Sequence, residues 1–417
     1  MERRVIPQPL GGTVAAISSK SQVHRLLIAA ALADRQTRLN CVCRCADTDA
    51  TVRCLTALGA AISYSGGGYD VTPIKTVPRE AVFDCGESGA TLRFLLPIAA
   101  ALGVRGEFHL HGRLPVRPIT PLLTALTAHG CTLTRPTADS LRCEGRLRAG
   151  GFALPGNISS QFITGLLLAL PLLPGASDIM LTTPCVSAGY PELTLAVLQA
   201  FGVPVAQTPD CHHIVPAAYR TPGCFTAEGD WSNAAFWLCA GAISKPVTVT
   251  GLKLNSLQGD RRMLSLLSQF GADVDAREAA VTVFPSALHG LCVDVSDTPD
   301  LAPPLALLAA CAEGESCISG ASRLRDKESD RLQGIADAVN ALGGCAQPFS
   351  DGLRISGGRP LRGGTVNASN DHRIAMLAAV AASVCSASVT VLDAEATDKS
   401  DPAFWQTYAA LQQEEPT

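Results

Sequence analysis

Residues 86–103, GESGATLRFLLPIAAALG, place a polar loop directly before a long apolar run. The run is apolar on every side, which is typical of a helix that is buried on all faces. Ser88 is a residue type that accepts hydrogen bonds at helix starts, so the stretch predicts a buried helix beginning near Gly89. The acidic Glu87 could settle on the positive end of that helix, or it could occupy a place meant for an anionic ligand.

The same arrangement, a polar cluster followed by an apolar helical run, occurs six times along the chain. The clusters lie 68 to 71 residues apart and are centred on Lys20, Ser88, Ser159, Asp230, Asp300 and Asp371. A second series of residues, 69 to 72 apart, follows amphipathic helical segments and consists of Gly59, Gly130, Gly202, Gly271 and Gly343. Each of these glycines stands where a helix end favours a left-handed residue. Two independent series with one period predict six repeated α/β units of about 70 residues.

Composition and charge limit the classes of function. The chain has 417 residues, of which 47% are hydrophobic and 17% are charged, so two or three domains with large cores are expected. A net charge of −4 lacks the excess of positive charge that is typical of nucleic-acid-binding proteins. The apolar runs fall short of the roughly 20 residues that span a bilayer, and the first residues lack the apolar core of a signal peptide. We therefore expect a cytoplasmic protein with 16 reduced cysteines and no nucleic-acid or membrane partner.

Cationic side chains are concentrated at the predicted helix starts and in three further loops. They are Lys20, Arg25, Arg93, Arg117, Lys327, Arg331, Arg373 and Lys399. Helix starts favour phosphate and carboxylate, and Arg and Lys supply the fixed positive charge that such ligands need. Each cation alone could equally form a salt bridge or lie in solvent, and the acidic clusters could simply cap helices. Together the cations indicate a pocket for a small polyanionic molecule.

Seven segments follow, in order, the motifs of the 5-enolpyruvylshikimate-3-phosphate (EPSP) synthases. They are SKSQVHR, GESGATLR, RPITPL, SSQFITGLL, DKESDRL, NDHRIAM and DKSDP. The chain therefore resembles this family over nearly its whole length. The resemblance implies the two-domain enolpyruvyl-transferase fold, an α/β fold in which each domain holds three of the repeated units around buried helices. The domains expected from it are residues 1–18 with 229–417, and residues 19–228, with the active site in the cleft between them.

The resemblance also implies a reaction. The enolpyruvyl group of phosphoenolpyruvate would pass to the 5-hydroxyl of shikimate 3-phosphate by addition and elimination, with release of inorganic phosphate. These small molecules are the implied partners of a monomeric protein, and no metal or organic cofactor is implied. Glyphosate, which imitates phosphoenolpyruvate in this family, should compete at the same place.

The matching motif positions imply individual roles. Shikimate 3-phosphate would be held by Lys20, Ser21, Arg25, Ser159, Ser160, Gln161, Ser187, Tyr190, Asp300 and Lys327. Phosphoenolpyruvate would be held by Lys20, Gly89, Arg117, Gln161, Arg331, Arg373 and Lys399. Asp300 is expected to act on the proton of the 5-hydroxyl and Glu328 on the proton at C3 of phosphoenolpyruvate. Lys20 and Lys399 are alternative proton carriers.

Four positions depart from the family pattern. Glu87 and His24 stand where the family usually has Asn, Ala90 where Thr is common, and Arg323 where some members have Asn. A carboxylate at position 87 could repel a phosphate, so we expect the side chain of Glu87 to turn away from the helix start.

Two other functions remain open at this point. The sister enzyme that transfers enolpyruvyl to UDP-N-acetylglucosamine has Lys-Asn where this chain has Lys20-Ser21, and a reactive Cys before an Arg-Pro pair, which the loop GRLPVRP lacks. A non-catalytic homologue that binds a phosphorylated metabolite would keep the cationic pocket and lose the acid–base pair.

Overall fold

The computed structural model describes residues 1–413, in which helices and strands alternate along the chain. The α-helices of this part of the chain are α1 (Lys20–Ala31), α2 (Ala46–Ala57), α3 (Gly89–Leu102), α4 (Thr120–Ala128), α5 (Ser160–Ala169), α6 (Gly189–Ala200), α7 (Trp231–Ile243), α8 (Met263–Gln269), α9 (Ala302–Cys311), α10 (Arg331–Ala341), α11 (His372–Ala381) and α12 (Phe404–Gln413). Short 3₁₀ turns cover Leu114–Val116, Leu170–Leu172, Gly259–Arg262, Pro299–Leu301, Ser322–Asp326, Ala382–Val384 and Ala394–Lys399.

The strands are short. They are β1 (Arg3–Val5), β2 (Gly12–Ala15), β3 (Thr37–Asn40), β4 (Ala61–Ser65), β5 (Gly68–Thr72), β6 (Glu80–Asp84), β7 (Arg105–His109), β8 (Cys131–Thr134), β9 (Ser140–Gly145), β10 (Gly151–Pro155), β11 (Ser177–Thr183), β12 (Val205–Thr208), β13 (Cys211–Ile214), β14 (Cys224–Thr226), β15 (Val247–Thr250), β16 (Asp273–Arg277), β17 (Ala280–Phe284), β18 (Cys292–Asp294), β19 (Glu315–Ser319), β20 (Ala346–Phe349), β21 (Gly352–Ser356), β22 (Gly364–Asn367) and β23 (Val389–Leu392).

The chain divides into two compact units. The first consists of Met1–Ile17 and Glu228–Thr417 and is here called the outer unit, because it holds the two outer segments of the sequence. The second, the inner unit, consists of the segment between them, Ser18–Ala227. The inner unit holds the sheets β14-β3-β5-β4, β6-β7-β9-β8 and β10-β11-β13-β12. The outer unit holds the sheets β16-β17-β15-β2, β18-β19-β21-β20 and β1-β23-β22. Each unit has its own hydrophobic core.

The predicted six-fold repeat is confirmed by the sheet pairings. Four buried helices each connect two parallel neighbours in one sheet: α3 between β6 and β7, α5 between β10 and β11, α9 between β18 and β19, and α11 between β22 and β23. In the other two repeats the first strand is exchanged, because β2 pairs with β15 and β14 pairs with β3. The exchange carries the chain from one unit to the other twice.

The glycine series ends the amphipathic helices as predicted. Its five members have φ angles between 75° and 104°, a region that L side chains rarely adopt: Gly59, Gly130, Gly202, Gly271 and Gly343. The helix ends are therefore set by glycine at equivalent places in five of the repeats.

The helices after the polar clusters are buried. In α3, 12 of 14 residues are buried, and α3 packs on α5. The two backbones approach so closely at Gly165 that a Cβ there would lie 2.2 Å from the carbonyl oxygen of Arg93. Among residues 1–413, no helix combines the length and the apolar character needed to cross a membrane.

We expect Gly165→Ala to destabilise the inner unit, because a new methyl group at that distance forces α3 and α5 apart. A loss of about 1–3 kcal/mol in the free energy of unfolding is expected, measured by thermal or urea denaturation. Gly334→Ala is the matched control: its Cβ would meet its nearest atoms at 3.4 to 3.9 Å inside α10, so the substitution should be neutral or stabilising. Equal effects of the two substitutions would contradict the close approach.

Candidate active site

Helix α1 of the inner unit begins with Lys20, whose ammonium group lies near the first turn of α2. Its Nζ is 2.7 Å from Oδ2 of Asp47, and the two side chains are 19% and 17% exposed. The ammonium is therefore held in a defined place while it remains partly open to solvent. Ser21 follows at the same helix start, and its carbonyl oxygen accepts a hydrogen bond from Arg25.

Arg25 is buried, and its hydrogen bonds are all with neutral oxygens. Its guanidinium donates to Oγ1 of Thr194 at 2.8 Å, to Oγ1 of Thr164 at 3.2 Å, and to the carbonyl oxygens of Ser21 at 2.5 Å and Tyr190 at 3.2 Å. Burial lowers the pKa of Arg25 to about 10. Within residues 1–413, no carboxylate is among its partners, so a buried positive charge here lacks a balancing anion.

Two guanidinium groups converge on the start of α3. A Cβ on Gly89 would lie 2.6 Å from Nη1 of Arg93 and 3.1 Å from Nη1 of Arg117. Arg93 is fixed by donating to Oε1 of Gln161 at 2.7 Å and to the carbonyl oxygen of Pro118 at 2.8 Å. A helix start, two guanidiniums and the absence of a side chain at residue 89 together form a cradle for an anion.

The carboxylate of Glu87 packs against the neighbouring loop. A Cβ on Gly112 would lie 2.5 Å from Cδ of Glu87, and Gly112 has a φ of 55°. The atoms nearest to the Gly89 position belong to Arg93 and Arg117. Ser88 caps α3 by accepting a hydrogen bond from the backbone of Thr91. The carboxylate of Glu87 thus lies against Gly112, while the guanidinium groups of Arg93 and Arg117 lie against Gly89.

The remaining inner-unit residues that the sequence singled out lie around α5 and α6. Ser159 caps α5 by accepting from the backbone N–H of Gln161, and Ser160 is buried as the first residue of that helix. Ser187 is buried with a φ of 55° just before α6, and the ring of Tyr190 lies 5.9 Å from the Arg25 guanidinium. The capping function of Ser159 is observed, and its predicted contact with substrate stays a prediction.

In the outer unit, three cations surround Asp300. Its carboxylate is 2.9 Å from Nη1 of Arg331, 3.3 Å from Nη2 of Arg373 and 3.7 Å from Nζ of Lys327. Burial acts to raise the pKa of Asp300, but Arg373, Lys327 and Arg331 outweigh it and hold the pKa well below the usual range. Asp300 is therefore ionised at neutral pH.

Arg331 is 1% exposed and is shared by three carboxylates. It donates to both oxygens of Asp371 at 2.8 and 3.2 Å, to Asp300, and through Nη2 to Oε2 of Glu328. Burial acts to lower the pKa of Arg331, but the three carboxylates, with Asp371 first, raise it far above the usual range. Four hydrogen bonds to acids occupy most of its five N–H groups. The contact of Arg331 with phosphoenolpyruvate stays a prediction, and the three carboxylates leave one N–H group of Arg331 for it.

The start of α11 gathers the other predicted residues of the outer unit. Asp371 caps the helix by accepting from the backbone N–H of Arg373, and Ser329 also donates to it at 3.0 Å. Lys399 donates through Nζ to the carbonyl oxygen of Asn370 at 2.6 Å. Asp300, Lys327, Glu328, Arg331 and Arg373 thus form one network of charges and hydrogen bonds, and Lys399 is bonded to the residue that precedes Asp371.

Arg323, one of the departures from the family pattern, donates through Nη2 to the carbonyl oxygen of Ser296. Ser296 lies four residues before Asp300 on the segment that leads into the network. The arginine therefore supports that segment. Among residues 1–413, no group of three or more His, Cys, Asp or Glu side chains is arranged to hold a metal ion.

Asp260 is a member of this neighbourhood that the sequence analysis missed. It is 3% exposed and accepts a hydrogen bond from Oγ of Ser232, in the first turn of α7. Gly259, beside it, packs on residues 297 and 298, which precede Asp300. Burial and the negative charge of Asp300 raise the pKa of Asp260 to about 7, against an opposing effect of Arg373. No local sequence pattern marks this residue, because its neighbours are distant along the chain.

The repeat and the sheet order are those of the enolpyruvyl-transferase fold, and comparison with solved structures shows the same fold. The enolpyruvyl transferase NikO from Streptomyces tendae has a similar fold, with a TM-score of 0.81 and 20% identity over 98% of this chain and 96% of that one. The EPSP synthase of Acinetobacter baumannii has a TM-score of 0.83 and 24% identity, with 98% of each chain covered.

The chain belongs to the EPSP synthase family. The model of that family, described as EPSP synthase (3-phosphoshikimate 1-carboxyvinyltransferase), matches residues 5–408. The 3-phosphoshikimate 1-carboxyvinyltransferase of Clostridium acetobutylicum is 38% identical over 415 residues, covering 98% of this chain and 96% of the relative. The family, the fold and the enzyme class expected from the sequence are confirmed, and the family acts on small-molecule substrates. The roles of single residues stay predictions.

We expect Asp260→Asn to stabilise the protein at alkaline pH. An unfolded Asp titrates near 3.9, whereas folded Asp260 titrates at about 7. Between these values the folded chain binds more protons than the unfolded chain, so the free energy of unfolding falls as the pH rises from about 4 to about 7. Asn keeps an oxygen for Ser232 and removes the charge, so a gain on the order of 2 kcal/mol is expected at pH 8.

Urea denaturation of both proteins at pH 8 and pH 5 measures this gain, which should shrink at the lower pH. Asp294→Asn is the control of opposite sign, because hydrogen bonds from Ser296 lower the pKa of Asp294. Its stabilising contribution is present above the pKa of the unfolded Asp, so its loss should destabilise the protein at pH 8. A gain for Asp260→Asn that is the same at both pH values would refute the assignment.

Proposed function

We propose that this enzyme transfers the enolpyruvyl group of phosphoenolpyruvate to the 5-hydroxyl of shikimate 3-phosphate and releases inorganic phosphate. The observation that carries the proposal is the cradle at Gly89, where two guanidinium groups lie against the start of a helix and supply donors for a phosphate. It occurs in a chain that matches the EPSP synthase family over residues 5–408. The substrates are those that the names of its relatives indicate.

In this proposal the phosphate of phosphoenolpyruvate lies at the start of α3. The backbone of Gly89 and the guanidinium of Arg117 bind it there, and Gln161, fixed by Arg93, lies beside them. Lys20 provides a further positive charge. Support comes from charge and hydrogen-bonding capacity, since each of these groups carries hydrogen-bond donors that favour a dianion.

Shikimate 3-phosphate is assigned to the starts of α1, α5 and α6. Arg25 supplies a buried charge whose present partners are neutral, so an anionic substrate would balance it. Lys20, Ser21, Ser159, Ser160, Gln161, Ser187 and Tyr190 complete this set, with Asp300 and Lys327 from the outer unit. The serines lie at helix starts, where hydroxyl and backbone N–H groups suit an anion.

The carboxylate of phosphoenolpyruvate is assigned to Arg373, Lys399 and Arg331. Arg373 and Lys399 both lie at the start of α11, which supports a shared ligand. Arg331 has four hydrogen bonds with carboxylates, so it would reach a substrate through its remaining Nη1 hydrogen. Its larger contribution is to hold Asp300 and Glu328 in place.

The chemistry follows from the charges in the outer unit. The oxygen of the 5-hydroxyl attacks C2 of phosphoenolpyruvate and loses its proton to ionised Asp300, while C3 gains a proton from the protonated form of Glu328. The Glu328 carboxylate then takes a proton back from C3, the bond between C2 and the phosphate oxygen breaks, and inorganic phosphate departs with the proton held by Asp300. Lys20 and Lys399 are alternative proton carriers. The three cations around Asp300 also stabilise the negative charge of the intermediate.

The proposal includes a monomeric state and a cytoplasmic location. Support for the location comes from the cysteines, all 16 of which are free, as suits a reducing compartment. Size-exclusion chromatography with light scattering tests the monomer, for which 43.3 kDa is expected.

Phosphate release in the presence of phosphoenolpyruvate tests the proposed reaction. Release with shikimate 3-phosphate is expected, together with the enolpyruvyl ether as product. Release only with UDP-N-acetylglucosamine would identify the sister reaction. Binding of phosphoenolpyruvate without release from either acceptor would identify a non-catalytic homologue.

We expect Gly89→Ala to weaken the binding of phosphoenolpyruvate far more than the binding of shikimate 3-phosphate. The new methyl group would lie 2.6 Å from Nη1 of Arg93 and 3.1 Å from Nη1 of Arg117, so it displaces both guanidiniums. The KM for phosphoenolpyruvate should rise at least about tenfold, and Kd for shikimate 3-phosphate should change less than about threefold. Alanine is a better helix former than glycine, which offsets part of the cost of moving Arg93, and the melting temperature is measured beside KM as a check on folding. An equal loss of affinity for both substrates would contradict the assignment of the phosphate of phosphoenolpyruvate to Gly89.

A further inference from the structure

A chain of buried hydrogen bonds joins three helices of the inner unit. Nδ1 of His24 on α1 is 2.7 Å from Oγ1 of Thr51 on α2, which is 2.7 Å from Oγ1 of Thr91 on α3. Thr91 in turn donates its hydroxyl to Oγ of Ser88 at 2.8 Å. All four side chains are at most 1% exposed. We call these four residues the relay.

The direction of the relay follows from counting protons. Thr91 uses its single hydroxyl hydrogen on Ser88, so it accepts from Thr51. Thr51 has then used its own hydrogen and accepts from His24, whose Nδ1 must carry the proton. Nε2 of His24 is buried without a hydrogen-bond partner among residues 1–413, which agrees with a neutral ring protonated on Nδ1.

Burial, more than the charged groups that face it, keeps His24 neutral. Burial lowers its pKa to about 3; Asp47 acts to raise it, and Lys20 and Arg25 act to lower it further. The ring of Phe94 from α3 stands edge-on at 6.5 Å between centroids. Over the pH range in which the enzyme can be assayed, the imidazole is therefore a fixed hydrogen-bond donor.

The relay connects two places that the proposed reaction uses together. Lys20 precedes His24 by four residues on α1, and Asp47 precedes Thr51 by four residues on α2. The Lys20–Asp47 ion pair and the His24–Thr51 hydrogen bond therefore join α1 to α2 one helical turn apart. At the other end, Ser88 is the cap that directly precedes Gly89.

We propose that His24 is a positioning residue, which through the relay fixes the Lys20 ammonium relative to the helix start at Gly89. The inference rests on the proposed function, in which both groups bind the phosphate of phosphoenolpyruvate. Shikimate 3-phosphate has many further contacts with the inner unit, so it depends less on this spacing. Loss of the relay should then lower the affinity for phosphoenolpyruvate selectively.

Matched pairs of variants test the proposal. His24→Leu and Thr51→Val keep the shape and remove the donor or the hydroxyl, whereas His24→Asn and Thr51→Ser keep a hydrogen-bonding group at a similar distance. We expect Leu and Val to raise the KM for phosphoenolpyruvate about tenfold. Kd for shikimate 3-phosphate should change at most about twofold, and Asn and Ser should restore the wild-type KM to within about threefold.

The double variant His24→Leu with Thr51→Val should be no worse than either single variant, because both remove the same link. Equal losses for both substrates, or lower melting temperatures with unchanged KM, would overturn the positioning role. If one variant of a pair does not fold, the other pair decides the question.

Nuclear magnetic resonance of ¹⁵N-histidine separates this inference from the proposed function. Unliganded wild-type protein should show His24 protonated on Nδ1 and not titrating between pH 8 and pH 5, and Thr51→Val should change that signal. A ring protonated on Nε2 would refute the relay whatever the activity. A relay confirmed by this signal in a protein inactive on both substrates would refute the proposed function, and with it the role of His24 in binding phosphoenolpyruvate.

Discussion

Each unit must bury helices whose first N–H groups have no partner inside the helix. At four of the six buried starts a side chain accepts one of these N–H groups: Ser88, Ser159, Asp230 and Asp371. Polar residues are therefore required at these places by packing alone. The remaining N–H groups point outward from the helix end and carry its positive dipole. The constraint that makes the core possible thus creates anion-binding positions at regular intervals along the chain.

Local patterns in the sequence are sufficient to predict the repeated units. The period of the polar clusters and of the glycines predicts six units, and the left-handed glycines confirm where the amphipathic helices end. The exchange of β2 and β14 between units is not visible in the period, because it depends on pairing between segments more than 180 residues apart. The periodic pattern thus predicts the elements inside each repeat, but it does not predict the strand pairings between repeats that are far apart in the chain.

The candidate site shows the same limit. Periodicity and motif order predict that Arg331, Asp300 and Arg373 are important. They cannot predict that Arg331 is shared by three carboxylates, since Asp371 is 40 residues away along the chain. Asp260 was missed for the same reason: its turn packs on residues 297 and 298, which precede Asp300 and are distant from Asp260 along the chain. Glu87 was interpretable only once the position of Gly112 was known.

The charge balance of the outer unit connects binding to proton transfer. Asp300 is ionised because Arg373, Lys327 and Arg331 outweigh its burial, and the same cations make it a weak base. In the proposed reaction, the anionic groups of the substrates approach Arg373 and Lys327. These anionic groups would compete with Asp300 for the cations. The pKa of Asp300 would then rise toward that of the hydroxyl group from which it must accept a proton. Binding of the correct anions would thus activate the base, and an empty site would keep it inactive.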